Sequence, residues 1–160
     1  VYFEREEPAF EYHNDPEKTR SAQHPEHANW ATTGDMGYVD DEGYLYLTDR
    51  KAFMIISGGV NIYPQEAENV LVNHPAVFDV GVIGVPDEEL GEVAKACVQL
   101  APGYTPSPQL ADELLDYTKE SIAAYKAPRS VDFVDDLPRT PTGKLVKGEL
   151  RKQYWPEKVH

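Results

Sequence analysis

The sequence predicts an α+β fold, and three observations carry that prediction. Short apolar runs with two-residue alternation, such as Tyr44–Leu47 and Ala94–Leu100, have the period of strands. After Pro64 and after Ser107, apolar residues recur at helical spacing. The two kinds of segment then follow one another in the order strand-rich segment, hairpin, helix, strand, strand, helix, strand, loop, helix. This order describes a small α+β domain of about 110 residues, with a short central sheet of about three strands, a β-hairpin and flanking helices, behind a β-rich piece of something larger.

Each element has a local reason. Residues 1–30 are polar, and Tyr2, Phe3, Phe10 and Tyr12 are spaced like short edge strands. Tyr38-Val39 and Tyr44–Leu47 flank the turn-rich Asp40-Asp41-Glu42-Gly43 as a hairpin, with Tyr44 and Tyr46 on one face for packing and Leu45 and Leu47 on the other. Asp49-Arg50-Lys51 breaks that pattern with charge and marks a domain boundary, giving units 1–50 and 51–160. In MIISGGVNIYP (Met54 to Pro64), two glycines separate strand-like runs, so the tip of this second hairpin needs positive φ or a close approach by another molecule. Pro64 opens a helix carrying Ala67, Val70, Leu71 and His74 on one face, and Asn73-His74-Pro75 ends it. Residues 77–85 form an apolar run suited to a buried strand, whereas the alternation of residues 94–100 predicts a half-buried one. Ser107-Pro108 is an N-cap and first helical residue, followed by a stripe of Leu110, Leu114, Leu115, Thr118 and Ile122. Val131 and Phe133 predict a third strand, and the Pro138–Gly143 loop leads to a basic helix from about Val146.

Bulk composition excludes some functions. The net charge of −13 argues against nucleic acid or an anionic membrane surface as the main partner. Charge is uneven, however: residues 1–50 hold twelve acids against four bases, whereas residues 126–152 hold Lys126, Arg129, Arg139, Lys144, Lys147, Arg151 and Lys152 against four acids. Such a basic tail is either a solvated helix face or a surface for phosphates. Cys97 is the only cysteine, which excludes an internal disulfide and suits a reducing, cytoplasmic compartment. No apolar run approaches the ~20 residues of a membrane span. His13, His24 and His27 are scattered surface histidines, and no metal site is expected. The chain starts at Val1 within a strand-like run, as expected for the tail of a longer protein.

Four motifs stand in a telling order: Thr33-Gly34-Asp35, Asp49-Arg50-Lys51, Ser57-Gly58-Gly59 and Pro141-Thr142-Gly143-Lys144. In this order and over nearly its whole length, the chain resembles the adenylate-forming enzymes, specifically their acyl-CoA synthetase (AMP-dependent CoA ligase) branch. The resemblance implies that residues 1–50 end a large N-terminal domain and that residues 51–160 are the mobile small C-terminal domain. It implies that Lys144 is the catalytic lysine for attack of a carboxylate on the α-phosphate of ATP. There, a mobile ammonium on an extendable loop can balance charge on the pentacoordinate phosphorus. It implies that Asp35 accepts hydrogen bonds from the ribose hydroxyls, for which a carboxylate offers two acceptor oxygens. The resemblance further implies that Arg50 contacts ribose or phosphate, and that Ser57, Gly58 and Gly59 line the tunnel for the CoA thiol, where a Cβ would narrow the passage.

The implied reaction is acid plus ATP plus CoA to acyl-CoA, AMP and pyrophosphate through an acyl-adenylate, with Mg2+ expected alongside ATP. The lysine loop and the glycine hairpin would take turns at one nucleotide. The hinge is assigned to Lys51 and Ala52, although relatives generally carry Lys or Asp where Ala52 stands, and Val60 replaces a usual Glu or basic residue. The family's Ser/Thr/Gly-rich phosphate loop and substrate pocket are missing from this sequence, so the chain alone is expected to be inactive. Its partners would be that missing N-terminal domain, a small carboxylic acid, ATP and CoA. The form of the Gly-Gly hairpin favours fatty-acyl and aryl-acid CoA ligases, and hence fatty acid metabolism. The alternatives are an adenylation domain that loads a carrier protein, a non-catalytic binding module of the same fold, and luciferase-like oxidation.

Overall fold

In the computed structural model, which describes residues 1–6 and 10–155, the chain divides into two units, Val1–Ala52 and Phe53–His160. The second is built on a long antiparallel ribbon, β7 (Val77–Asp87) with β8 (Gly91–Leu100), paired from Val77↔Leu100 to Asp87↔Gly91 with one bulge between Val77 and Asp79. The glycine hairpin, β5 (Ile55–Ser57) and β6 (Val60–Ile62), joins the same sheet through the pair Ser57↔Gly91. β9 (Ser130–Phe133) runs parallel to β8. The three expected strands and the hairpin therefore make one five-stranded sheet.

Three helices flank that sheet. α2 (Pro64–Leu71) starts at proline as predicted, and α3 (Pro108–Ser121) is capped by Ser107, whose Oγ accepts the Leu110 N–H at 3.1 Å. Ala67 and Leu71 of α2 and Leu110 and Leu114 of α3 pack on Val80, Val82, Ala94, Ala96 and Val98 of the ribbon. A second cluster joins Ile83, Val85, Val93 and Cys97 to Leu137 and to Leu150 of α4 (Lys147–Lys152). Strand β8 is thus covered on both sides, not half-buried as its alternation implied. Its second face carries Cys97 under α4 and Tyr154.

The first unit holds β1 (Phe3–Glu4), α1 (Pro16–Ala22), β2 (Trp30–Ala31) and the hairpin β3 (Asp35–Val39) and β4 (Leu45–Arg50). Helix α1 lies where only edge strands were expected. Its signal was the Asp15-Pro16 pair: Asp15 accepts the Lys18 N–H at 2.9 Å, and Pro16 occupies the first helical position. Neither Phe10 nor Tyr12 is in a strand. The β3–β4 hairpin forms as predicted, but its tyrosines do not pack into a core. Tyr38 and Tyr46 stack on each other with ring centroids 5.2 Å apart, and Tyr38, Val39, Tyr44, Leu45, Tyr46 and Leu47 are all exposed.

Most cations of the basic tail are neutralised by acids remote in sequence. Lys126 pairs with Glu66, Arg139 with Asp79, Lys147 with Glu68 and Arg151 with Glu92. The Lys147–Glu68 pair is buried: Lys147 Nζ lies 2.8 Å from Oε1 and 3.0 Å from Oε2. Removing one member of such a pair strands a charge away from water. Lys147→Met should therefore lower unfolding stability by about 3 kcal/mol in chemical denaturation.

Below Cys97 lies a second polar group. Lys95 donates to Asp132 at 2.6 Å, and the Tyr154 hydroxyl joins Asp132 and Cys97. Burial raises the Cys97 thiol and, with the neighbouring carboxylate and thiol, the Tyr154 hydroxyl above their usual ranges. For Asp132, burial alone would raise the carboxyl, but bonds from Lys95 and Tyr154 outweigh it and hold the group below its ordinary value. A depressed carboxyl contributes stability that is present above the unfolded value of 3.8 and is lost as pH falls through the folded value. Asp132→Asn should accordingly flatten the acid limb of a stability–pH curve below 3.8, as measured by thermal melts across pH.

Candidate functional site

In the first unit, the β3–β4 register places Asp35 directly opposite Arg50. The pair forms an ion pair, Arg50 Nε to Asp35 Oδ1 at 3.5 Å, while Thr33 Oγ1 donates to the other carboxylate oxygen at 2.5 Å. Lys51 donates its backbone N–H to Gly34 O at 2.8 Å, closing the strand ends. A cleft of about 660 Å³ opens beside them, lined among others by Tyr12, Lys18, Thr33, Asp35 and Lys51. Two residues predicted separately as nucleotide contacts are thus neighbours, and one of them, Asp35, lines the cleft. Lys51 and Ala52, the predicted hinge, are exposed and begin the 3-10 turn Lys51–Phe53.

In the second unit, Gly58 and Gly59 form the two-residue tip between β5 and β6, with φ of +56° and +83°. Positive φ at both positions fits a tight hairpin turn that glycine adopts without strain. Gly58 donates its N–H to Leu90 O at 2.9 Å, and a Cβ on Gly58 would lie 2.9 Å from Leu90 Cδ2. Both glycines are exposed and Ser57 is half-buried. A groove of about 280 Å³ runs beside the tip, lined by Gly58, Val60, Leu90, Tyr125 and Arg129 among others.

The Lys144 loop is more ordered than its prolines and glycine suggested. Thr140 N–H donates to Lys144 O and Gly143 N–H to Thr140 O, both at 2.8 Å, and Lys144 N–H reaches Thr140 Oγ1 at 3.1 Å. Arg139 clamps the loop by donating to Gly143 O and to Asp79 at the start of β7. Any reach therefore belongs to the lysine side chain and not to an extensible loop. Lys144 is exposed, and its ammonium has no ion-pair partner among the described residues. The loop is fixed at the Asp79 end of β7, whereas the glycine tip sits at the Asp87–Gly91 end. Eight residues of strand separate these anchors, roughly 26 Å at about 3.3 Å per residue.

The sequence reading missed the pairings that hold these elements, those of Glu68, Asp79, Glu92 and Arg151. Their partners lie 59 to 79 residues away in sequence, and no local pattern announces such pairs. Among the described residues, no group of three or more His, Cys, Asp or Glu side chains could hold a metal ion, and no helix is long and apolar enough to cross a membrane.

Residues 66–144 match the AMP-binding enzyme C-terminal domain, ending on Lys144 itself. That segment, just under half of the chain, belongs to the family. The chain's relatives include the long-chain-fatty-acid–CoA ligase FadD13 of Mycobacterium tuberculosis, 48% identical over 144 residues, which cover 90% of this chain and 27% of the relative. The fatty acid–[acyl-carrier-protein] ligase ScoC of Streptomyces coeruleorubidus is 44% identical over 126 residues, 79% of this chain and 24% of the relative. Among solved structures, the ATP-bound RpMatB-BxBclM chimera B1 superposes with a TM-score of 0.79 at 38% identity, covering 91% of this chain and 28% of that one. The chain spans about a quarter of the length of these relatives. The mixed α/β small domain is the fold of the AMP-binding C-terminal domain. The glycine hairpin and Asp35–Ala52 lie outside the matched segment, upstream of residue 66.

Proposed function

We propose that this chain is the C-terminal portion of an ATP-dependent acid–thiol ligase that makes acyl-CoA through an acyl-adenylate. Residues 1–50 close the nucleotide site of a large domain, and residues 51–160 are the mobile domain that pivots at Lys51 and Ala52. One observation carries the reading: an exposed ammonium, Lys144, without an ion-pair partner among the described residues, stands on a clamped turn at one end of the β7–β8 ribbon, and an exposed glycine tip stands at the other. Two groups anchored near opposite ends of an eight-residue stretch of strand, roughly 26 Å at about 3.3 Å per residue, are not placed to meet at one reacting centre together. A domain that carries both can act on the same nucleotide only by turning between two steps.

In the first step, the Lys144 ammonium offsets charge that builds on the α-phosphate and on the leaving pyrophosphate as the carboxylate attacks. Asp35 accepts from the ribose hydroxyls, and Arg50 exchanges its pairing with Asp35 for contact with ribose or phosphate. In the second step, Ser57, Gly58 and Gly59 line the path of the CoA thiol to the acyl carbonyl, where the absence of side chains leaves the passage open. Mg2+ would accompany ATP, and among the described residues no group of three or more His, Cys, Asp or Glu side chains would hold it. A cytoplasmic enzyme of fatty-acid or aryl-acid activation is part of the same proposal. ScoC, whose name describes a ligase for an acyl-carrier protein, supports a second reading in which the thiol belongs to a carrier. The two are told apart by supplying CoA or a carrier protein to the full-length enzyme.

In the full-length enzyme, Lys144→Ala should slow ATP–pyrophosphate exchange by about 100-fold or more while largely sparing thioester formation from supplied acyl-adenylate. Gly58→Val should do the reverse, since its side chain would strain the positive φ and press on Leu90. Equal losses in both steps for either variant would refute the two-step division. The 160-residue chain by itself should give no pyrophosphate exchange, and measurable exchange would overturn the assignment of the catalytic body to a missing domain.

A further inference from the structure

Ile55 and Ile62 anchor the base of the glycine hairpin in the core, but toward its tip the backbone has few ties to the sheet. Its strand β5 meets β8 at a single register pair, Ser57↔Gly91, and two of its backbone N–H groups face the sheet. One, Gly58 N–H, finds the backbone carbonyl of Leu90. The other, Ile56 N–H, finds no carbonyl but a side chain: Glu92 Oε2 accepts it at 3.3 Å. A carboxylate in place of a ladder carbonyl is adjustable, so whatever holds Glu92 also sets β5.

Two features hold it. Glu92 Oε1 ion-pairs with Arg151 of α4, and the Glu92 side chain is only 16% exposed. The space it occupies exists because residue 84 is glycine: a Cβ there would lie 2.9 Å from Glu92 Oε2 and 3.2 Å from Ile55 Cγ1. Arg151 is itself braced, since its guanidinium lies 4.4 Å over the Trp155 ring and Trp155 Nε1–H donates to Gly84 O at 2.9 Å. The contacts form a closed circuit from β5 through Glu92, Arg151 and Trp155 to Gly84 beneath the same carboxylate.

We propose that Glu92 is a positioning residue for the thioester-forming step: it fixes the angle of the Ser57–Gly59 tip by bonding Ile56 N–H while Arg151 locks its other oxygen. The inference rests on the reading of that tip as the thiol passage. Glu92 touches no substrate. Its effect falls on the step that uses the hairpin more than on the step that uses Lys144, whose loop is anchored at the far end of β7.

The test uses Glu92→Gln, Glu92→Ala and Arg151→Met. Amide hydrogen exchange at Ile56 is measured in this chain, and both half-reactions are measured in the full-length enzyme. Glu92→Ala should speed exchange at Ile56 and lower the ratio of thioester formation to pyrophosphate exchange by about tenfold or more, the scale on which ångström-level misplacement acts. Glu92→Gln, which keeps an acceptor oxygen for Ile56 but loses the ion pair, should recover part of that ratio. Arg151→Met should behave like Glu92→Gln. Should Glu92→Ala fail to fold, the isosteric Glu92→Gln and Arg151→Met carry the test. An unchanged ratio in those two, or equal loss in both half-reactions, overturns the proposal. If Gly58→Val lowers the ratio and the Glu92 variants do not, Glu92 alone is misassigned. If Gly58→Val also leaves it unchanged, the thiol-passage reading fails with it.

Discussion

Strand β7 runs along the edge of the sheet, and its outward backbone groups must be satisfied by something other than a neighbouring strand. Side chains do this. Val80 N–H bonds to the Asp79 carboxylate at 2.9 Å, Val82 N–H to Glu68 Oε1 at 2.6 Å, and Gly84 O accepts from Trp155. Each of these edge contacts also engages the C-terminal segment. Asp79 holds Arg139, Glu68 holds Lys147, and Trp155 braces Arg151. Closing the sheet edge and placing the Lys144 loop are therefore one structural problem with one set of residues.

This dependence explains why a polar, buried Glu68–Lys147 pair occurs three residues after the lysine on which the proposed chemistry depends. A hydrophobic pair could pack equally well, but would leave Val82 N–H without an acceptor. The carboxylate accepts from the Val82 N–H of β7 and, through both oxygens, from the Lys147 ammonium of α4, and so ties α2, β7 and α4 into a single register. The Lys144 turn, strung between Arg139 and Lys147, inherits its position from both ends.

Much of this architecture was legible from local pattern. Pro64, Ser107-Pro108 and the Gly58-Gly59 tip announced their elements because their signals act over a few residues. Helix α1 was obscured because the aromatic spacing of residues 2–12 imitated strands while the Asp15-Pro16 cap went unweighed. Burial of β8 on both faces could not be read, since the cover over Cys97 comes from Tyr154, 57 residues later. The stiffness of the Lys144 turn was hidden for the same reason: Pro141 and Gly143 suggest freedom, and only the distant Asp79–Arg139 contact removes it. For the candidate site, the four motifs drew attention to Arg50, Gly58, Gly59 and Lys144, which the fold leaves exposed, and to Asp35 and Ser57, which it half-buries. That Asp35 and Arg50 face each other follows from strand register, which fifteen residues of spacing do not determine.

The β3–β4 ribbon carries one further implication. Both of its faces are apolar and open, with Tyr38 and Tyr46 stacked on one side and Leu45 and Leu47 uncovered. A two-stranded ribbon of this kind has no inward side, so its pleat cannot conceal anything. It behaves as adhesive surface until another layer is laid against it, and handling the chain without such a layer invites ribbon-to-ribbon association through bare strand edges.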